Sequence, residues 1–335
     1  MNQQFTLVEP HKTARILYLT VGAPASGKTS HAKTMAAGFA VSGTPFININ
    51  RDDIRREIHG LTDWSTYVFS KENEGKVTER AKELFLDFWR AHPHGNAVCV
   101  ISDTNLNPQL RQVWYSMASE QPDVEVRHII FPVDTNTLIK RDAAREMTVG
   151  AKVIQSMNNK LFKDPDNIKL VQDVMRQVWQ NMLKQYPPKS YHPYFDIDGT
   201  LAEKGSRSAF DESRVSEDTP RLNVCDLHDM YHRAPFAGSP MYNTGRTDSC
   251  REDTTNWLNK HLTTLVVPYA AADNRLLMRR TGDSRPDWYV KFVMLCHRLF
   301  RFGQAPLVCI DDRQQVVDMY RALGVEVWQV AEGNF

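Results

Sequence analysis

The run Gly22-Ala-Pro-Ala-Ser-Gly-Lys-Thr29 constrains this chain more than any other feature. It fits GxxxxGK[ST]. A short β-branched and aromatic stretch, Ile16–Val21, precedes it, and a segment rich in helix formers follows from Ser30. A glycine-rich turn between a buried strand and a helix belongs to an α/β sheet, where backbone N–H groups and a helix N-terminus converge on one anion. The pattern predicts a phosphate cradle. Gly22 and Gly27 free the backbone, Ser26 and Ser30 belong to the same turn, Lys28 reaches the β- and γ-phosphates, and Thr29 ligates Mg²⁺. The competing reading is a plain βα turn with an exposed lysine, which explains neither the spacing nor the flanking elements.

Further strands are expected at Pro45–Asn50, Ala97–Ser102 and Val124–Val133, with helices between them. Strand and helix in alternation give a parallel sheet covered on both faces. Asn48–Arg56 sets Asp52 and Asp53 beside Arg51, Arg55 and Arg56 at the carboxyl edge of that sheet. Asp52 there can accept a proton from an attacking hydroxyl, and Arg55 can hold an anionic acceptor. Helix-capping aspartates with solvated arginines would look the same. Asp103, followed by Thr104, sits where a carboxylate would approach the metal, or where an Asx turn would end the strand. Arg141 and Arg145, four apart, read as one helix face, either a lid over phosphates or a solvated surface.

Asp164–Tyr186 carries apolar residues at helical spacing and reads as one long helix. The stretch PPKSYHP then punctuates the chain and the βα alternation begins again, so the expected domains are 1–187 and 188–335. Strands are expected near Tyr194–Ile197, Leu265–Tyr269, Leu307–Ile310 and Val325–Val330. Phe195-Asp-Ile-Asp-Gly-Thr200 places Asp196 and Asp198 on one side of a strand end. One carboxylate can attack phosphorus while the other shuttles a proton to the leaving group. Supporting parts recur downstream: Thr244-Gly245-Arg246, Lys291 on a helix, and Asp311-Asp312 after another strand. This order of nucleophile, hydroxyl, lysine and acidic pair resembles the haloacid-dehalogenase-type phosphatases, and that resemblance implies Asp196, Asp198, Asp311 and Asp312 as metal ligands, with Thr244, Gly245, Arg246 and Lys291 for substrate phosphate. A calcium loop is a weak rival, because the later acidic positions are missing.

Composition narrows the rest. Hydrophobic residues at 41% and charged residues at 24% exclude a disordered chain. Lys+Arg 41 against Asp+Glu 40 excludes a uniformly basic nucleic-acid binder, but not a local basic groove. No apolar run approaches the ~18 residues of a membrane span, and the N-terminus lacks the apolar core of a secretory signal. Five cysteines without a CxxC pair argue against a disulfide scaffold or structural zinc, and point to a reducing cytoplasm.

With these motifs in place, the chain resembles the polynucleotide 5′-kinase/3′-phosphatases of T-even-type bacteriophages. The strings that carry the resemblance are GxPxSGK, NINRDD, ISDTNLNP, LxKRxxxR, FDxDGTLA, TGR, IDDRxQVV and GVExWQVAxGxF, and they span roughly residues 14 to 335. The resemblance implies a P-loop NTPase-type sheet followed by a haloacid-dehalogenase-like Rossmannoid domain, with ATP and Mg²⁺ as cofactors. It implies Lys28 and Thr29 on the donor phosphates, Asp52 as general base, Arg55 and Thr104 on the acceptor, and Arg141 and Arg145 clamping the donor. Asp196 would become the aspartyl-phosphate, Asp198 the general acid/base, and Asp311 with Asp312 would hold the metal. It further implies RNA or DNA ends as substrates, coupling to an RNA ligase, a homotetramer and the cytoplasm of an infected host. Met1–Thr13 matches none of the family's strings, and Thr244 stands where a serine is usual. Two alternatives remain open: a small-molecule kinase fused to a metabolite phosphatase, and a nucleic-acid-binding module without activity.

Overall fold

The structure, a computed structural model, describes residues 14–61, 66–145, 147–208, 211–234, 238–262 and 275–333. It divides into two compact units, Met1–Val174 and Met175–Phe335.

The first unit runs β1 (Arg15–Val21), α1 (Lys28–Ser42), β2 (Phe46–Ile49), α2 (Arg51–His59), α3 (Lys71–Ala91), β3 (Ala97–Ile101), α4 (Pro108–Ser119), β4 (Val124–Ile130), α5 (Thr135–Ala143), α6 (Ala151–Lys163) and the start of α7 (Pro165–Gln185). Four parallel strands lie in the order β2-β3-β1-β4. All seven residues of β1 are buried, as a central strand covered on both faces requires. Leu17 and Leu19 pack with Phe85, Trp89 and Trp114, while Ile16 and Tyr18 pack with Ala32, Val98 and Val100. Side chains cap the helices that frame the sheet's carboxyl edge: Asn50 for α2, Ser70 for α3, Asn107 for α4 and Asp134 for α5.

Two expectations need correction here. The last strand was expected to reach Val133, but β4 stops at Ile130, because Pro132 has no N–H to continue the ladder. Arg141 and Arg145 do not share a helix face, since α5 ends at Ala143 and Arg145 lies in the turn beyond. The buried Asp142 carboxylate accepts the N–H groups of Val149 and Gly150 at 3.0 Å, so its bonds go to the next loop.

The second unit runs from the rest of α7 through β5 (Ser190–Phe195), β6 (Ala202–Glu203), β7 (Thr219–Pro220), α8 (Leu222–Arg233), β8 (Met241–Thr247), α9 (Arg251–His261), β9 (Leu276–Arg279), α10 (Asp287–Phe302), β10 (Gln304–Arg313), α11 (Gln314–Ala322) and β11 (Val327–Gly333). Its main sheet is parallel, in the order β11-β10-β5-β8-β9. From β5 the chain builds outward through β8 and β9, then returns to lay β10 and β11 on the other side. The switch in direction therefore falls between β5 and β10, where α/β sheets open a crevice. β5 begins inside the proline-rich stretch, earlier than expected; the register slips between Pro306 and Val308, opposite Pro193, and absorbs the missing donors. The strand expected at Leu265–Tyr269 lies outside the described residues, and β9 was not anticipated. Among the described residues no helix is long and apolar enough to cross a membrane.

Candidate functional sites

The first site is built from the ends of β1 and β3 and the starts of α1 and α2. After β1 the chain turns through Ala25 (φ +60°) and Gly27 (φ +102°), and Gly27 precedes α1 without offering a side-chain acceptor. The first-turn amides of Lys28, Thr29 and Ser30 have no cap, which fits them for an anion. Gly22 is required for space: a Cβ there would lie 2.8 Å from Phe131 Cβ, and its own N–H donates to Thr104 O at 3.0 Å. Lys28 is buried, and its Nζ donates to Ala23 O at 2.7 Å and to Ser26 Oγ at 3.2 Å, both neutral oxygens. Burial pushes the Lys28 amine down to about 7; Asp103 and Asp52 pull upward and Arg145 pushes further down. Thr29 and Ser30 are exposed at the mouth of the turn.

Asp103 accepts the Arg51 N–H at 3.0 Å, and burial lifts its carboxyl to about 6 against the pull of Arg51. Thr20 Oγ1 and Asn105 Nδ2 donate to nearby carbonyls of this corner, fixing the β3 end beside the β1 end. Asp52 lies in the first turn of α2 and pairs with Arg55 at 2.6 Å. Arg55 and Arg51 both bind Glu74 of α3, at 2.8 and 2.7 Å. Arg55, with Arg51 and Tyr67 helping against burial, holds the Glu74 carboxyl down to about 2. Arg141 is half-buried on α5, and Arg145 approaches Asp142 at 3.6 Å.

The second site lies at the β5/β10 switch point. Phe195 pairs in register with Ile310, so the next residues, Asp196 and Asp311, emerge side by side. Asp196, Asp311 and Asp312 bring carboxylate oxygens within 4.8 Å of one another, all buried. Gly199 (φ +79°) makes this possible, since a Cβ there would sit 2.2 Å from Asp312 Oδ2. Lys291 of α10 enters the group with Nζ 2.8 Å from both Asp196 and Asp311, and 3.4 Å from Asp287. Burial opposes the charge on Lys291, yet Asp196, Asp287 and Asp311 outweigh it and raise the amine. Burial, followed by the crowding of neighbouring carboxylates, raises Asp196 well above its ordinary value and Asp311 to about 6, Lys291 notwithstanding. The carboxylates outnumber the single lysine among them. Such an oxygen set suits a hard divalent cation.

Asp198 does not join this trio. Its carboxylate is held by Arg246, at 2.9 and 2.8 Å, and by Arg207 at 2.9 Å, and these guanidiniums keep it below the ordinary range despite burial. Both arginines also bind Asp218, which is 3% exposed. Thr244 is fully buried in β8, and its Oγ1 accepts the Arg246 N–H. Gly245 leaves room for Asp287, whose Oδ1 would be 2.5 Å from a Cβ. Asp287 binds Arg279 and Arg313 as well as Lys291.

Glu74, Arg207 and Asp218 escaped the sequence reading. They lie outside any recognisable string, and only tertiary structure joins them to the motif residues.

Each unit thus carries a phosphate-type site at the carboxyl edge of a parallel sheet: a P-loop in the first, and a haloacid-dehalogenase-type carboxylate cluster in the second. Residues 17–163 match the AAA domain family, and residues 193–335 match the family described as the polynucleotide kinase PNKP phosphatase domain. The chain thus carries a domain matching the AAA family followed by one matching the polynucleotide kinase PNKP phosphatase family. It is 24% identical over 331 residues to a protein of Autographa californica nuclear polyhedrosis virus named as a bifunctional polynucleotide kinase/RNA ligase. The alignment covers 93% of this chain but only 42% of that relative. Among solved structures, a chain of the Pnkp1/Rnl/Hen1 RNA repair complex aligns at 21% identity over 97% of this chain and 98% of its own, with a TM-score of 0.38. A gluconokinase from Sinorhizobium meliloti 1021 aligns over 47% of this chain and 79% of its own, at 15% identity and a TM-score of 0.29.

Proposed function

We propose that this chain heals nucleic-acid ends, moving the γ-phosphate of ATP to a 5′-hydroxyl and removing a 3′-phosphate, with a 2′,3′-cyclic phosphate as a further candidate substrate. The observation that carries the first activity is the P-loop turn with buried Lys28 and uncapped α1 amides, tied to the β3 end by the Gly22 N–H to Thr104 O bond, while Asp103 at that end accepts the Arg51 N–H next to Asp52. Lys28 and the uncapped amides of α1 bind the donor phosphates, and Thr29 would hold Mg²⁺. Asp52 takes the proton of the attacking hydroxyl, while Arg55 keeps it oriented and faces the acceptor's phosphate together with Thr104. Arg141 and Arg145 supply cations over the donor.

In the second activity Asp196 attacks phosphorus, the bond to the 3′-oxygen breaks, and an aspartyl-phosphate forms. Asp198, fixed by Arg246 and Arg207, serves the proton on the leaving oxygen and then on the hydrolytic water. Lys291, Thr244 and Arg246 face the phosphate oxygens. Asp196, Asp311 and Asp312 would hold Mg²⁺, which when bound offsets the repulsion between an anionic nucleophile and an anionic substrate. The relative's name couples polynucleotide kinase to RNA ligase, and we extend that pairing to this chain, reading RNA ends before ligation as its setting. Five buried, unpaired cysteines agree with a reducing compartment.

The test is transfer of labelled γ-phosphate from ATP to a 5′-hydroxyl oligonucleotide and, separately, to free nucleosides. Transfer to the oligonucleotide supports the reading. Transfer to nucleosides alone would replace it with a small-molecule kinase.

A further inference from the structure

Beside Asp52 the first unit exposes an aromatic ring that the proposed kinase chemistry does not use. Phe69 is 67% exposed, whereas Tyr67, two residues earlier, is 8% exposed. Single exposed apolar side chains are ordinary, so exposure alone says little. This one is set in a fixed frame. Tyr67 donates its hydroxyl hydrogen to Glu74 Oε1 at 2.7 Å and meets Phe69 edge-on, with ring centroids 4.7 Å apart at 85°. Glu74 also grips Arg55, and the Arg55 guanidinium lies 5.4 Å from the Phe69 ring centre and 5.8 Å from that of Tyr67. The same guanidinium pairs with Asp52. Ser70, the next residue, caps α3, so the backbone carrying Phe69 is anchored as well.

A cation lying over a largely exposed aromatic ring, next to the carboxylate proposed to receive a hydroxyl proton, matches a nucleotide end: phosphate for the arginine, base for the ring. We propose that Phe69, backed by Tyr67 and Arg55, is the stacking platform for the 5′-terminal nucleobase of the acceptor. The inference rests on the kinase reading above and deepens it, because an acceptor without a base has nothing to lay on this ring. Base–aromatic stacking tolerates any base, since all four present a π-face, so the platform selects for nucleic acid rather than for sequence.

The experiment compares two 5′-hydroxyl oligonucleotides, identical except that the 5′-terminal nucleotide of one is abasic. For the base-bearing acceptor, Phe69→Ala and Phe69→Leu should raise KM roughly five- to hundredfold with turnover at saturation unchanged, and Phe69→Trp should restore it. For the abasic acceptor, wild type and all three variants should share one KM, close to that of Phe69→Ala on the intact end. Equal KM increases on both acceptors, or none on the base-bearing one, would overturn the platform while the kinase reading stands. A wild-type protein that phosphorylates neither oligonucleotide overturns both.

Discussion

Each unit buries a lysine at the mouth of its sheet, and the two amines are driven in opposite directions. Lys28 finds only neutral oxygens within hydrogen-bond reach and is pushed down to about 7. Lys291 sits among Asp196, Asp311 and Asp287 and is pushed up. Burial is severe for both, so desolvation alone does not set the charge of a buried amine; the carboxylates packed around it do. The first site is therefore left wanting an anion, as a phosphate cradle should be. The second has more carboxylates than amines and wants a cation. Both bind phosphate esters in the proposed reactions, yet they prepare for it with opposite imbalances.

The comparison breaks most readily at Lys291. Lys291→Met leaves three buried carboxylates without their shared amine, a class of change that costs about 3–5 kcal/mol. Urea unfolding should show the second unit's transition moved to lower denaturant, with 3′-phosphatase activity lost. A variant as stable as wild type would mean the carboxylates are not charged together. Next in size, Lys28→Ala should lower 5′-phosphorylation by roughly 10²–10³, about 3–4 kcal/mol of transition-state stabilisation, while unfolding is not weakened. Steady-state kinetics within threefold of wild type would remove Lys28 from the donor site.

The smallest effect sharpens the contrast. Lys28 binds fewer protons folded than unfolded between about pH 7 and 10, so its contribution to stability rises with pH across that window. A donor phosphate favours the charged amine. ATP binding at about pH 8 should therefore take up a fraction of a proton, measured by calorimetry in buffers of different ionisation enthalpy. Lys28→Met should abolish the uptake, and uptake persisting in that variant would assign it to another group.

How much of this was legible in the sequence differs between the two sites for physical reasons. The cradle is a backbone device, and glycines at fixed spacing between a strand and a helix announce it. The trio Asp196, Asp311 and Asp312 was legible because DxDGT and IDD each end a strand, although only the β5–β10 register makes them neighbours. Asp218 and Arg207 were not, because they come from short or irregular segments whose only signal is charge, and charge on a loop is usually solvated. Periodicity placed Arg141 and Arg145 on one face because it has no knowledge of where Asp142 spends its hydrogen bonds. The fold suffered less: most buried parallel strands are apolar runs, whereas β8, with Asn243, Thr244 and Gly245, carries only a weak apolar signal before its motif.

In the proposed reactions, two chemically independent sites lie on one chain. One oligonucleotide bearing both a 5′-hydroxyl and a 3′-phosphate tests this, incubated with ATP, Mg²⁺ and either wild type, Asp196→Asn or Lys28→Ala. Asp196→Asn removes the charge of the attacking oxygen while nearly preserving shape. It should lose 3′-phosphate removal and phosphorylate the 5′ end at the wild-type rate, and Lys28→Ala should do the reverse. Loss of both reactions in Asp196→Asn, in a protein that elutes and melts like wild type, would contradict the account and require one composite site.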